Sequence, residues 1–220
     1  MAKPKVSAFR WVPPFAQGLV RDLRVRWALE EVGLAYEERL IGPDDQRSET
    51  YLSLQPFGQV PSYEEDGLVL FESGAIVLHI AELSDKLMPS SPEARARTRT
   101  WMFAALNTVE PPIMFLNMLD MLQDGDESAK LLRAAVVEGV RKRLASLCCS
   151  LDGRDYLQDR FTAADLLMVT VLRILRCTGL VEEMPALNSY RLRCEARPAF
   201  QKALADQMAR FAENAPATNK

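Results

Sequence analysis

An Asp66-Gly67 step between two short runs, Val60–Glu64 and the apolar Leu68–Phe71, constrains this chain more than any other local feature. Asp-Gly is a strong hairpin signal, because glycine takes the positive φ of a tight primed turn without steric cost. The flanking runs therefore predict adjacent antiparallel strands. Upstream, Lys3–Phe9 reads as a strand whose Val6-Ser7-Ala8-Phe9 run suits burial. Leu23, Val25, Trp27, Ala28 and Val32 recur at helical spacing up to Gly33, a C′ glycine. Tyr36–Ile41 reads as a second strand, and Asp44 and Asp45 are expected to cap a short helix running to Leu54. Glu72–Leu83 is helical and apolar on one face. The order β-α-β-α-β-β-α within about eighty residues predicts a thioredoxin-like α/β domain with helices on both faces of an open sheet. Its expected span is residues 1–83.

Composition changes after Leu83. Ser84–Pro92 is rich in serine and proline and reads as a linker, residues 84–92. No strand pattern follows, so residues 93–220 are expected to form an all-helical C-terminal bundle. The helices expected there are Arg95–Leu122, Asp126–Leu151, Ala163–Cys177, Pro185–Arg197 and Pro198–Phe211. Pro111-Pro112 predicts a kink inside the first of them. Phe161-Thr162-Ala163-Ala164-Asp165-Leu166 reads as an N-terminal capping box with a Phe161–Leu166 staple. Ala215–Lys220 reads as a frayed tail.

A net charge of −3 argues against a general nucleic-acid binder, and no run approaches the length of a membrane span. No apolar leader follows the start, so a cytoplasmic protein is expected. Cys148, Cys149, Cys177 and Cys194 form no CxxC pair and read as buried free thiols of a reducing compartment. With His79 as the single histidine, a metal site is not expected. His79 reads as a helix-packing residue, and Arg95, Arg97 and Arg99 as a solvated or partner-facing surface.

The stretch Gln55-Pro56-Phe57-Gly58-Gln59-Val60-Pro61, the Asp66-Gly67 turn and Leu70-Phe71-Glu72-Ser73-Gly74-Ala75-Ile76 together resemble the cytosolic glutathione transferase family. That family carries Gly-(Gln/Lys)-Val-Pro, a hairpin, then (Glu/Gln)-Ser-x-Ala-Ile opening a helix. The Thr162–Asp165 box resembles the one that opens the family's core helix, where its role is folding. The resemblance implies a cis Val60-Pro61 bond that turns the Val60 backbone outward, to pair with the cysteinyl backbone of glutathione by strand addition. It implies that Ser73 binds the γ-glutamyl carboxylate, Glu72 the γ-glutamyl ammonium, and Gln59 the glycyl end. A helix start favours such an anion through its free N–H groups and dipole. Glutathione then serves as co-substrate without a further cofactor. The implied activity is conjugation of its thiolate to small apolar electrophiles, a detoxification chemistry, by a homodimer.

The first loop is atypical. The family activates the thiol with Tyr, Ser or Cys between the first strand and first helix, and Ala8–Ala35 contains none of them. A serine-type register places Asp22 at the activator position, where a carboxylate would repel a thiolate. A tyrosine-type register places Phe15 there and Arg21 where some members carry a thiolate-stabilising arginine. A cation at a helix start lowers a thiol's pKa from about 8.5, so Arg21 is the candidate catalytic residue; its alternative is a solvated helix residue. Trp11 and Gln17 are further candidate donors to sulfur. Two other outcomes stay open: a non-enzymatic interaction module on the same fold, or a glutathione-dependent peroxidase or isomerase.

Overall fold

The computed structural model describes residues 3–121 and 127–216. The chain divides into two compact units, Met1–Leu87 with Arg197–Lys220, and Met88–Ala196.

In the first unit, β1 (Lys5–Phe9), β2 (Glu37–Ile41), β3 (Ser62–Glu65) and β4 (Leu68–Phe71) form one sheet in the order β2-β1-β3-β4. β1 and β2 run parallel from Lys5↔Glu37 to Phe9↔Ile41, while β3 is antiparallel to both β1 and β4. The expected hairpin forms, with Asp66 and Gly67 at φ 44° and 86°. Helices α1 (Asp22–Val32), α2 (Pro43–Gln46), α3 (Glu49–Leu52) and α4 (Ser73–Glu82) complete the thioredoxin-like pattern. The helix expected to run to Leu54 is two short pieces. Ser48 interrupts it by accepting the Tyr51 N–H at 3.2 Å as the cap of α3. Gly42 takes the N-cap of α2, and Asp45 acts from within the helix by accepting the Gly42 N–H at 2.8 Å.

Every residue of α1 from Asp22 to Leu29 is buried, although three of them are charged. Arg26, 1% exposed, donates from Nε to Asp22 Oδ2 at 2.7 Å and from Nη1 to Glu38 of β2. The second oxygen of Asp22 accepts from Gln207 Nε2 at 2.7 Å, and that of Glu38 from Arg210. Burial raises the Asp22 pKa, while Arg26 and Gln207 oppose the shift. Gln207 and Arg210 belong to α10 (Pro198–Glu213). Arg197, the cap of that helix, donates to Glu31 Oε2 at 2.7 Å, and Phe200 meets the Trp27 ring edge-on at 4.7 Å between centroids. These contacts explain why α10 joins the first unit instead of the helical domain expected over 93–220. A buried cation needs its carboxylates held, and α10 supplies the groups that hold them. The division between units falls at Leu87, inside the stretch read as a linker.

The second unit is helical: α5 (Pro92–Ala104), a π-helical segment (Ala105–Val109), α6 (Glu110–Met121), α7 (Glu127–Leu151), α8 (Ala163–Leu172), a 3₁₀ turn (Arg173–Leu175) and α9 (Pro185–Glu195). The expected break comes before the prolines, not at them. A proline ring crowds the carbonyl four residues back. For Pro111 and Pro112 those carbonyls belong to Asn107 and Thr108, inside the π segment that absorbs the strain. Leu122 and Asp126, the expected ends of two helices, lie outside the described residues, as does the end of the tail read as frayed. All ten residues of α8 are buried, and its capping box forms. Asp165 accepts the Thr162 N–H at 2.9 Å, the Leu157 N–H at 2.8 Å and the Tyr190 hydroxyl at 3.0 Å. Of the cysteines, read as buried, only Cys194 is: Cys148 is half-buried, Cys149 of α7 is exposed, and Cys177 is exposed in the turn that follows the 3₁₀ segment. None is disulfide-bonded. His79 packs edge-on against Tyr63, with centroids 5.6 Å apart.

Removing one partner of a buried ion pair strands the others. Arg26→Met should therefore cost about 3–5 kcal/mol in urea unfolding. The double substitution Arg26→Met/Asp22→Leu should recover part of that loss. A loss below about 1 kcal/mol for the single substitution would show that Arg26 is not essential to this packing.

Candidate functional site

The segment before β3 is anchored from below. Tyr51 donates its hydroxyl to Gln59 O at 2.6 Å, and Ser7 of β1 lies 2.8 Å from that hydroxyl. Ser7 Oγ also accepts the Ser62 N–H at 2.6 Å and the Ser62 hydroxyl at 3.0 Å. Tyr51 spends its own hydrogen on Gln59, so Ser7 donates to Tyr51 and accepts twice, which saturates its hydroxyl. Burial raises the Tyr51 pKa, and the bonds to Ser7 and Ser62 oppose that rise. Gln46 Nε2 fixes the preceding turn by donating to Gly58 O at 2.7 Å. On this support Val60-Pro61 adopts a cis peptide bond, Gln59 is exposed and Val60 buried.

The β3–β4 register pairs Ser62 with Phe71, so Pro61 and Glu72 lie at the same end of the hairpin. Glu72 has φ 67° and ψ 114°. This is a sparsely populated region for a residue with a Cβ, and such outliers gather at binding sites. Glu72 occupies the N-cap of α4, yet its side chain makes no capping hydrogen bond. The hydrogen-bond ladder opens with Ile76 N–H to Glu72 O at 3.0 Å, so the N–H groups of the first turn point outward, as at any helix start. Ser73, only 4% exposed, stands at the first helical position. Its Oγ accepts from Arg24 Nη1 of α1 at 3.2 Å. Chemically, this terminus offers N–H groups, a helix dipole, a hydroxyl and a nearby buried cation. Such a set suits an anion.

Val60, Pro61, Glu72 and Ser73 thus gather at one end of the hairpin, with Gln59 beside them. Trp11 and Arg21 lie in the connection between β1 and α1. Trp11 is half-buried, and Arg21 occupies the N-cap position of α1 in helical conformation. Gln17 donates back into its own loop, to Val12 O at 3.0 Å. Phe15 is 62% exposed. The serine-type register fails on geometry. Both oxygens of Asp22 are engaged by Arg26 and Gln207 within the core. Three participants escaped the sequence reading: Ser7, Tyr51 and Arg24. For Arg24 a signal existed, an arginine set between Leu23 and Val25 among the apolar positions of α1. A charged residue there needs a partner.

Profiles for two parts of one family match this chain. The one described as "Glutathione S-transferase, N-terminal domain" matches residues 17–82, and "Glutathione S-transferase, C-terminal domain" matches residues 101–198. Glutathione S-transferase 4 of Zea mays is 31% identical across 92% of this chain and 93% of its own. Elongation factor 1-gamma of Homo sapiens is 30% identical across 73% of this chain but only 37% of its own. Among solved structures, glutathione transferase F7 of Populus trichocarpa matches with a TM-score of 0.79 at 25% identity, covering 93% of this chain and 99% of its own. A glutathione transferase of Burkholderia graminis, solved with two glutathione molecules per subunit, matches with a TM-score of 0.80 at 25% identity over 92% and 87%. The chain belongs to the glutathione S-transferase family.

Glu72 makes a separate expectation available. Glycine at this position would relieve backbone strain of about 1–3 kcal/mol and add an entropy cost of about 0.5–1 kcal/mol. Glu72→Gly should therefore stabilise the fold by about 1 kcal/mol, read as a higher thermal midpoint. A lowered midpoint would mean that the Glu72 side chain contributes more to the fold than its backbone costs.

Proposed function

We propose that this protein is a glutathione transferase that conjugates the glutathione thiolate to small apolar electrophiles. The observation that carries the reading is the start of α4, where strained Glu72 and buried Ser73 present uncapped N–H groups. The γ-glutamyl carboxylate of glutathione suits that terminus, and the Glu72 carboxylate suits the γ-glutamyl ammonium. The Val60 backbone, supported from Ser7 through Tyr51, then pairs with the cysteinyl unit, and Gln59 meets the glycyl end. Trp11 and Arg21, in the β1–α1 connection, are the candidates for the sulfur. The bound thiol releases its proton, the thiolate attacks an electrophilic carbon, and the leaving group departs as an anion.

Two exposed rings, Phe57 and Phe71, meet edge-on at 6.1 Å between centroids, and Phe57 is 69% exposed. Exposed apolar surface of this kind supports a homodimer. Sedimentation at the mass of a single 24.7 kDa chain would refute the pairing. Four thiols without a disulfide suit a reducing cytoplasm.

A second reading, an interaction module without turnover, is favoured by one specific feature: the β1–α1 connection has no Tyr, Ser or Cys. The similarity to elongation factor 1-gamma, whose name is not that of a transferase, is compatible with it. Retention on immobilised glutathione together with chlorodinitrobenzene conjugation separates the two readings; retention without conjugation favours the module. Within the transferase reading, Ser73→Ala removes a hydrogen bond to a charged group. The expected loss of glutathione affinity by calorimetry is roughly tenfold to a hundredfold. Unchanged affinity would remove Ser73 from the site.

A further inference from the structure

We propose that Arg24 is the positioning residue of the γ-glutamyl site: it orients the Ser73 hydroxyl toward the ligand's carboxylate and adds its charge behind it. The inference rests on the glutathione reading above and extends it to a residue on a different helix.

Arginine has five N–H donors and no acceptor. In the 3.2 Å contact between Arg24 Nη1 and Ser73 Oγ, the serine oxygen is therefore the acceptor. One of its lone pairs is occupied by the cation, and its own hydrogen points elsewhere. A serine at a helix start can also turn its oxygen back to accept an N–H of the first turn. Here the Glu72 side chain does not cap α4, and the Ser73 oxygen accepts from Arg24 instead. Apart from the Glu72 carboxylate, assigned above to the ligand's ammonium, the groups named at this terminus donate: backbone N–H groups and a serine O–H polarised by the guanidinium on its oxygen. Such a site selects an acceptor-only, negatively charged group.

Burial sharpens the effect. Arg24 is 4% exposed and Ser73 is equally buried, so the charge acts through protein instead of water. Arg24 sits on α1 between Asp22 and Arg26, whose ion pair fixes that turn of the helix. The cation is thus held in place before any ligand arrives, and binding requires little rearrangement of it.

The alternative is that Arg24 merely ties α1 to α4. Calorimetry with two ligands separates the roles: glutathione, and γ-aminobutyryl-cysteinyl-glycine, which lacks only the γ-glutamyl carboxylate. Arg24→Met should weaken glutathione roughly tenfold to a hundredfold. It should leave the affinity for the analogue nearly unchanged. Equal losses for both ligands, or no loss for either, would overturn the proposal. Should Arg24→Met fail to fold, Arg24→Gln keeps a donor without the charge, and the ratio of the two affinities must still fall. An unchanged ratio there also overturns it. Wild-type protein that binds no glutathione would instead refute the reading on which the inference rests.

Discussion

The guanidinium of Arg26, sealed inside the first unit, is the interaction on which the rest depends. A charge this deep is tolerated only when its hydrogen-bonding groups are satisfied. Asp22 comes from the same helix, Glu38 from β2, and each carboxylate is itself held by a residue of α10. One buried cation thereby joins the start of α1, the second strand and the last helix. It explains why a helix more than a hundred residues downstream packs with the N-terminal fold.

That arrangement places what the site needs. Asp22 and Arg26, one turn apart, lock the turn of α1 from which Arg24 reaches Ser73. The other side of the site is held by Ser7, whose hydroxyl is used fully between Tyr51 and Ser62. Between these supports lies a strained, uncapped helix start. The strain at Glu72 and the outward N–H groups both run against stability alone. Both make sense where an anion completes the structure. The proposed function takes that anion to be the γ-glutamyl carboxylate of glutathione.

Much of this was legible because it is local. The Asp66-Gly67 hairpin and the Thr162–Asp165 box depend on neighbours within a few residues, and both form as read. The hairpin register also brings Val60, Pro61, Glu72 and Ser73 to one end of the hairpin. The place of α10 was not legible. Nothing near Gln207 or Arg210 announces partners at Asp22 and Glu38; only packing reveals them. For the same reason Asp22, aligned by register with an activating residue, proved to be a core ion-pair partner. The break in the fifth helix was read from its prolines but misplaced, since the strain falls on the carbonyls before them.

The claim that most needs testing is that a chain without Tyr, Ser or Cys in its first loop still holds glutathione as a thiolate. Arg21, at the start of α1, together with nearby backbone N–H groups, is the proposed source of that stabilisation. The measurement is the ultraviolet absorbance of the bound thiolate followed against pH, in wild type and in Arg21→Met. The account predicts a bound-thiol pKa below the usual thiol value of about 8.5, moving back toward it when Arg21 is replaced. A bound thiol that titrates like free glutathione in the wild-type protein would contradict the account.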